Sequence, residues 1–84
     1  MTNEVNKPIH KISVGNGITA SIWKNPTNNG SIYAVEVERR YQPNGSEEWK
    51  TSTSYVGSQI LLVSQAFQMA FAYIGQLKAA ESAS

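Results

Sequence analysis

The segment from Ser58 to Leu77, SQILLVSQAFQMAFAYIGQL, carries no charged residue, and it constrains everything that precedes it. On a helix at about 100° per residue, Ile60, Leu62, Val63, Ala66, Phe67, Met69, Ala70, Phe71, Tyr73, Ile74 and Leu77 fill about half of the circumference. Such an arc is wider than one sheet face covers. Ser64, Gln65, Gln68, Gly75 and Gln76 share the remaining arc with Leu61 and Ala72, so the helix is amphipathic. The segment is long enough to cross a bilayer. Four glutamines and two serines would be costly there, however, and no membrane span is expected.

The chain ahead of the helix supplies what it packs on. Residues 1–8 are polar and read as a flexible N-terminal arm. In IHKISV, Ile12 and Val14 alternate with Lys11 and Ser13, and Gly15-Asn16-Gly17 follows. Asn-Gly tolerates positive φ at both positions, which is what a tight primed hairpin turn requires. Next comes ITASIWK, with Ile18, Ala20 and Ile22 on one face and Thr19, Ser21 and Trp23 on the other. Asn25 to Gly30, NPTNNG, is made of turn formers and reads as a loop. The strand SIYAVEVERRY sets Tyr33, Val35 and Val37 against Ala34, Glu36, Glu38 and Arg40. A second Asn-Gly turn, Gln42 to Ser46, leads into EEWKTSTSY, where Trp49, Thr51, Thr53 and Tyr55 share a face. Gly57 ends that strand and Ser58 offers an N-cap hydroxyl.

The expected fold is therefore α+β, a four-stranded antiparallel β-meander followed by one C-terminal amphipathic helix (ββββα), with a single domain over residues 9–78 and a frayed tail at 79–84. One face of the helix is expected on Ile12, Val14, Ile18, Ala20, Ile22, Tyr33, Val35 and Val37. The other, Leu62, Ala66, Met69, Tyr73 and Leu77, is expected to make a homo-oligomer interface, the usual remedy for a small core without disulfides or metals.

Composition removes most enzymatic classes. The chain has no cysteine and no aspartate, and its one histidine, His10, stands alone, so neither a metal site nor a Ser-His-Asp triad is expected. The paired carboxylates Glu36 with Glu38 and Glu47 with Glu48 read as solubilising charges, and no glycine-rich phosphate loop is present. The expectation is a non-enzymatic protein with no cofactor and no small-molecule substrate. MTNEVNKPIHK has no apolar core of a secretory signal, and a cytoplasmic location is expected.

What remains is the solvent face of the sheet, assigned by alternation Lys11, Ser13, Thr19, Ser21, Trp23, Arg40, Lys50, Ser52 and Ser54, with Glu36 and Glu38. A large ring among hydroxyls and spaced cations is the set of groups that single-stranded nucleic acid uses for stacking and phosphate contact. Lys24, Arg39, Tyr41 and Trp49 at the strand ends complete the candidate set. The net charge of +1 is far from a strongly basic composition, and two carboxylates stand in the middle of that face. A non-enzymatic protein-interaction or structural module is the alternative.

The stretches PIHKISVGNGITASIWKN, YAVEVERRY, EEWKTSTSY and LLVSQAFQMAFAYI resemble a group of small bacterial proteins of unassigned activity, from Pro8 to about Ile74. In layout, ββββα with an apolar helix is similar to the Whirly and positive cofactor four class of single-stranded DNA-binding transcription regulators, and the Pur-alpha repeat shares the element order. That resemblance implies oligomers that hold single-stranded DNA on strands and adjoining turns, with Lys11, Trp23, Arg40 and Lys50 in the binding role. The lysine-rich strand motif of the Whirly proteins is missing here.

Overall fold

A computed structural model describes residues 7–83. The expected N-terminal arm, apart from Lys7 and Pro8, lies outside them. The elements run β1 (His10–Gly15), β2 (Ile18–Thr27), β3 (Gly30–Tyr41), β4 (Lys50–Ser52) and α1 (Gln59–Ala83). The strands form one antiparallel sheet in the order β1-β2-β3-β4, which is the expected ββββα layout.

The first turn follows from its glycines. Asn16 and Gly17 take φ of 53° and 76°, so both central residues are left-handed, as a primed turn requires. A bulge between Ser13 and Gly15 leaves Val14 out of the ladder. The second hairpin differs from the expected loop. The ladder continues through Asn25 opposite Ile32, Pro26 opposite Ser31 and Thr27 opposite Gly30. Proline is tolerated in this strand because β1 pairs no further along β2 than Ile22, so the outer edge of β2 is free at Pro26. The Thr27 hydroxyl closes the tip, donating to the Gly30 carbonyl at 2.9 Å and accepting from the Asn29 amide at 3.2 Å.

β4 is much shorter than its sequence pattern. The Ser52 hydroxyl accepts the Ser54 amide at 3.0 Å, a local turn that competes with the ladder. Tyr55 consequently does not share a strand face with Trp49. It folds under the sheet, packs beside the core and donates its hydroxyl to the Val37 carbonyl.

The core is small. Ile18, Ala20, Val37 and Ala66 form its centre, and Ile12, Val14, Val35, Leu62 and Val63 pack around it. Ile22 and Ala70 are also fully buried. The sheet face is thus the expected one, but the helix is rotated relative to expectation. Ala66 and Ala70 lie one turn apart and let the helix axis approach β2 closely, with Leu62, Tyr73 and Leu77 half-buried beside them. The residues assigned to an oligomer interface therefore face the subunit's own sheet, apart from Met69 at its rim. Ile60, Phe67 and Phe71 point away from it.

The helix also continues through the segment expected to fray. Glu81 accepts a hydrogen bond from the Tyr33 hydroxyl and one from Lys24 Nζ at 3.2 Å, tying the last turns to the β2–β3 hairpin. These bonds hold the Glu81 carboxyl below its ordinary value of 4.5, through Tyr33 first and Lys24 second. The Lys24 and Tyr33 groups are held above 10.5 and 10.0, chiefly by their hydrogen bonds to Glu81. A lowered carboxyl contributes stability above the unfolded-state pKa and loses it as pH falls through the folded value. The clasp is therefore closed throughout the neutral range. Acidification below the ordinary carboxylate range is expected to lower the protection factors of amides in the last turn of α1, once the intrinsic exchange rate is divided out, and Glu81→Gln is expected to do so at neutral pH. Equal exchange in variant and parent would show that the clasp does not hold the helix end.

Candidate nucleic-acid interface

Directly paired residues on antiparallel strands share a face, so the register sorts the candidate residues. On the face without the helix, Trp23 lies opposite Ala34, Ser21 between Lys11 and Glu36, Thr19 between Ser13 and Glu38, and Arg40 opposite Thr51. On the other face, Lys24 pairs with Tyr33, Arg39 with both Ile18 and Ser52, and Tyr41 with Lys50. Lys50 and Ser52 are thus on the helix side, a correction to the expected solvent face. The sequence pattern misplaced them because the connection at 42–49 sets the register.

Five candidates meet at one corner of the sheet. Arg39, Arg40 and Tyr41 end β3, and the chain returns through the turn Pro43 to Ser46, where the Ser46 amide donates to the Pro43 carbonyl at 3.1 Å and Gly45 takes φ of 78°. That return brings Trp49 under Arg40, with the guanidinium carbon 5.2 Å from the ring centroid. On the opposite face of the same strand end the Arg39 guanidinium carbon is 4.9 Å from the Tyr41 ring. Lys50 stands across from Tyr41. The corner therefore holds two cation–π pairs, worth about 0.5 to 1 kcal/mol each where exposed, that pre-position cations beside aromatic rings. Trp49 is 58% exposed, which leaves ring surface for a further stacking partner.

The remaining candidates lie apart. Trp23 is half-buried at the other end of the same face, roughly 20 Å from Arg40 at about 3.3 Å per residue along β3. Its indole Nε1 is buried without a hydrogen-bond partner, as is Nε of Arg39. A shallow pocket beside Trp23 is lined by Asn25, Ala34 and Glu36. Lys11 is exposed on β1. Lys24 is tied to Glu81 and lies over the helix end, so its position sets it outside the corner.

Glu36 and Glu38 occupy the middle of the open face, and among the described residues no cation forms a salt bridge with either. Ser21 between them and Lys11 is buried. The corner carries Arg39, Arg40 and Lys50, with Glu47 and Glu48 in the connection that leads into it, whereas the centre of the open face carries carboxylates alone.

One cleft was not anticipated from the sequence. It lies between the edge strand β1 and α1, has a volume of about 470 Å³, and is lined by His10, Lys11, Ile12, Met69, Ala72, Tyr73 and Gln76. At its base the His10 and Tyr73 rings stack with centroids 4.1 Å apart. The lone histidine is thus an aromatic packing partner. Among the described residues no group of three or more His, Cys, Asp or Glu side chains could hold a metal ion. No protein-family model, curated protein or solved structure matches the chain.

Proposed function

We propose that this protein binds single-stranded nucleic acid in a sequence-tolerant manner at the β3–β4 corner. The observation that supports this reading is the pair of arginines set over Trp49 and Tyr41 on the two faces of one strand end, with Lys50 alongside. A base stacks on the exposed surface of Trp49 while the guanidinium groups and Lys50 engage neighbouring phosphates. Every base has a π-face, so such a site carries little sequence preference. The resemblance to single-stranded DNA-binding regulators points the same way and favours DNA over RNA. Trp23 and Lys11 form a secondary contact region at the far end of the open face. The reading involves no catalysis and no cofactor, and it fits a cytoplasmic protein.

Titration of tryptophan fluorescence with an oligothymidylate tests it. The expected result is saturable quenching that weakens with salt, with a log–log slope of about −2 if Arg39, Arg40 and Lys50 each neutralise one phosphate. Trp49→Ala is expected to weaken binding by about 1 to 3 kcal/mol, the usual worth of one stacked base. Trp23→Ala should cost less, because that ring is half-buried and remote from the cations. Unchanged affinity in Trp49→Ala would remove the corner as the site.

A second reading, a protein-interaction module, is favoured by the carboxylates at the centre of the open face. Glu36 and Glu38 repel a phosphate backbone but suit a protein partner that brings cations. No quenching by the oligonucleotide at low salt would favour it.

A further inference from the structure

We propose that α1 pairs antiparallel with α1 of a second copy of this chain, along a stripe of Ile60, Ser64, Phe67, Phe71, Ile74 and Lys78. These residues recur at alternating spacings of four and three, the repeat of a two-helix seam. The seam lies to one side of the face that Ala66 and Ala70 hold on the sheet, so the two do not compete. Phe71 is 80% exposed, Ile60 57% and Phe67 47%, an arrangement that a lone subunit leaves in water.

A second copy is the occupant that the stripe fits. A phenylalanine carries about 150 to 250 Å² of side-chain surface, so Phe67 and Phe71 together present roughly 200 to 300 Å² per subunit. A standard interface takes about 800 Å² from each partner, and a helix of 25 residues, about 37 Å long, has the length to supply the rest. From Gln59 to Leu77 the helix has no charge with which to select a charged partner, whereas an apolar stripe is complementary to itself under a two-fold axis. Orientation follows from Phe67, Phe71 and Lys78. An antiparallel pair centred level with Met69 sets Phe67 against the partner's Phe71 twice, Ile74 beside the partner's Ser64, and the Lys78 stem over the partner's Ile60. A parallel pair would place Lys78 against Lys78 and align the two helix dipoles. The pairing does not depend on the nucleic-acid reading, and either stands if the other fails.

Sedimentation equilibrium on the full chain at micromolar concentration tests the pairing. The parent is expected to be a dimer, and Phe71→Glu to raise the dissociation constant at least ~30-fold, the factor of a hot-spot side chain, with an unchanged circular dichroism spectrum. The chain has no cysteine of its own. A mixture of Ser64→Cys and Ile74→Cys subunits is therefore expected to form a disulfide-linked dimer on oxidation, and Ser64→Cys alone is not. A monomeric parent would overturn the pairing, as would cross-linking of Ser64→Cys with itself. By length and apolar composition α1 also satisfies the requirement for a membrane span. A parent that stays monomeric and co-sediments with phosphatidylglycerol vesicles would overturn the pairing in favour of a lipid surface.

Discussion

Replacing Gly17 with alanine is expected to lower the stability of this domain by roughly 2 to 3 kcal/mol or more. Two causes add. Gly17 has φ of +76°, a left-handed conformation that costs an L residue about 1 to 2 kcal/mol. A β-carbon there would also lie 2.3 Å from the Arg40 carbonyl oxygen, which is backbone and cannot swing aside. Relief requires β3 to move away from the first turn, and that movement stretches the bond from the Arg40 amide to the Gly17 carbonyl, now 2.9 Å. Losing such a bond costs a further ~1 kcal/mol or more. Gly15 is the control, since it has φ of +98° but open space around its Cβ position, so Gly15→Ala carries the conformational cost alone. Urea denaturation of the two variants separates the effects, because only the midpoint should shift. Equal midpoints would mean that the contact with Arg40 does not matter. Since that contact also fixes the backbone of a candidate binding residue, Gly17→Ala should weaken oligonucleotide binding under conditions where it is still folded.

Ile18→Ala should be comparably damaging, at about 2 to 5 kcal/mol. Ile18 has no exposed surface and sits at the centre of the core with Ala20, Val37 and Ala66. Two of those neighbours are alanines, which cannot swing into the space left behind, so the upper half of the range is expected. A domain of this size has about 4 to 13 kcal/mol in all, so Ile18→Ala removes a large fraction of it. The opposite experiment locates the inner face of the helix. Ala66→Leu overfills the contact with the sheet and should cost about 1 to 3 kcal/mol, while Phe71→Gln should leave the subunit's own stability within about 0.5 kcal/mol when measured under dissociating conditions. If Phe71→Gln proved the more destabilising of the two, the helix would be seated on its other face.

Local rules made much of the fold legible in the sequence. The period-two pattern from Ile12 to Val37 identifies the sheet face that is buried, because alternation is a property of the strand itself. Asn16-Gly17 fixes the first turn through φ alone, and the charge-free stretch after Ser58 fixes a helix. The candidate site was legible in kind but only partly in place. Arg39, Arg40, Tyr41, Trp49 and Lys50 could be named from residue type, and alternation along β3 places Arg40 on the open face, yet the positions of Trp49 and Lys50 depend on the connection at 42–49, whose register no alternation rule specifies.

Four features lie outside the strand and helix periodicities, the first set by a local side-chain turn and the others by contacts between separate parts of the chain. β4 stops at Ser52 because a serine hydroxyl captures a nearby amide. The end of α1 holds because Glu81 reaches Lys24 and Tyr33 across the hairpin. Arg40 meets Trp49 because the Pro43–Ser46 turn returns the chain beneath it. Most consequentially, the helix has apolar residues over about half of its circumference, so periodicity alone permits either side to face the sheet. The sequence by itself determined that the chain forms ββββα and which side of the sheet is greasy, since both depend on spacing within one element. The tertiary structure decided that Ala66 and Ala70 go inward and Phe67 and Phe71 outward. Close packing of a helix on a small sheet rewards small side chains at the point of nearest approach, and that depends on the shape of both surfaces together.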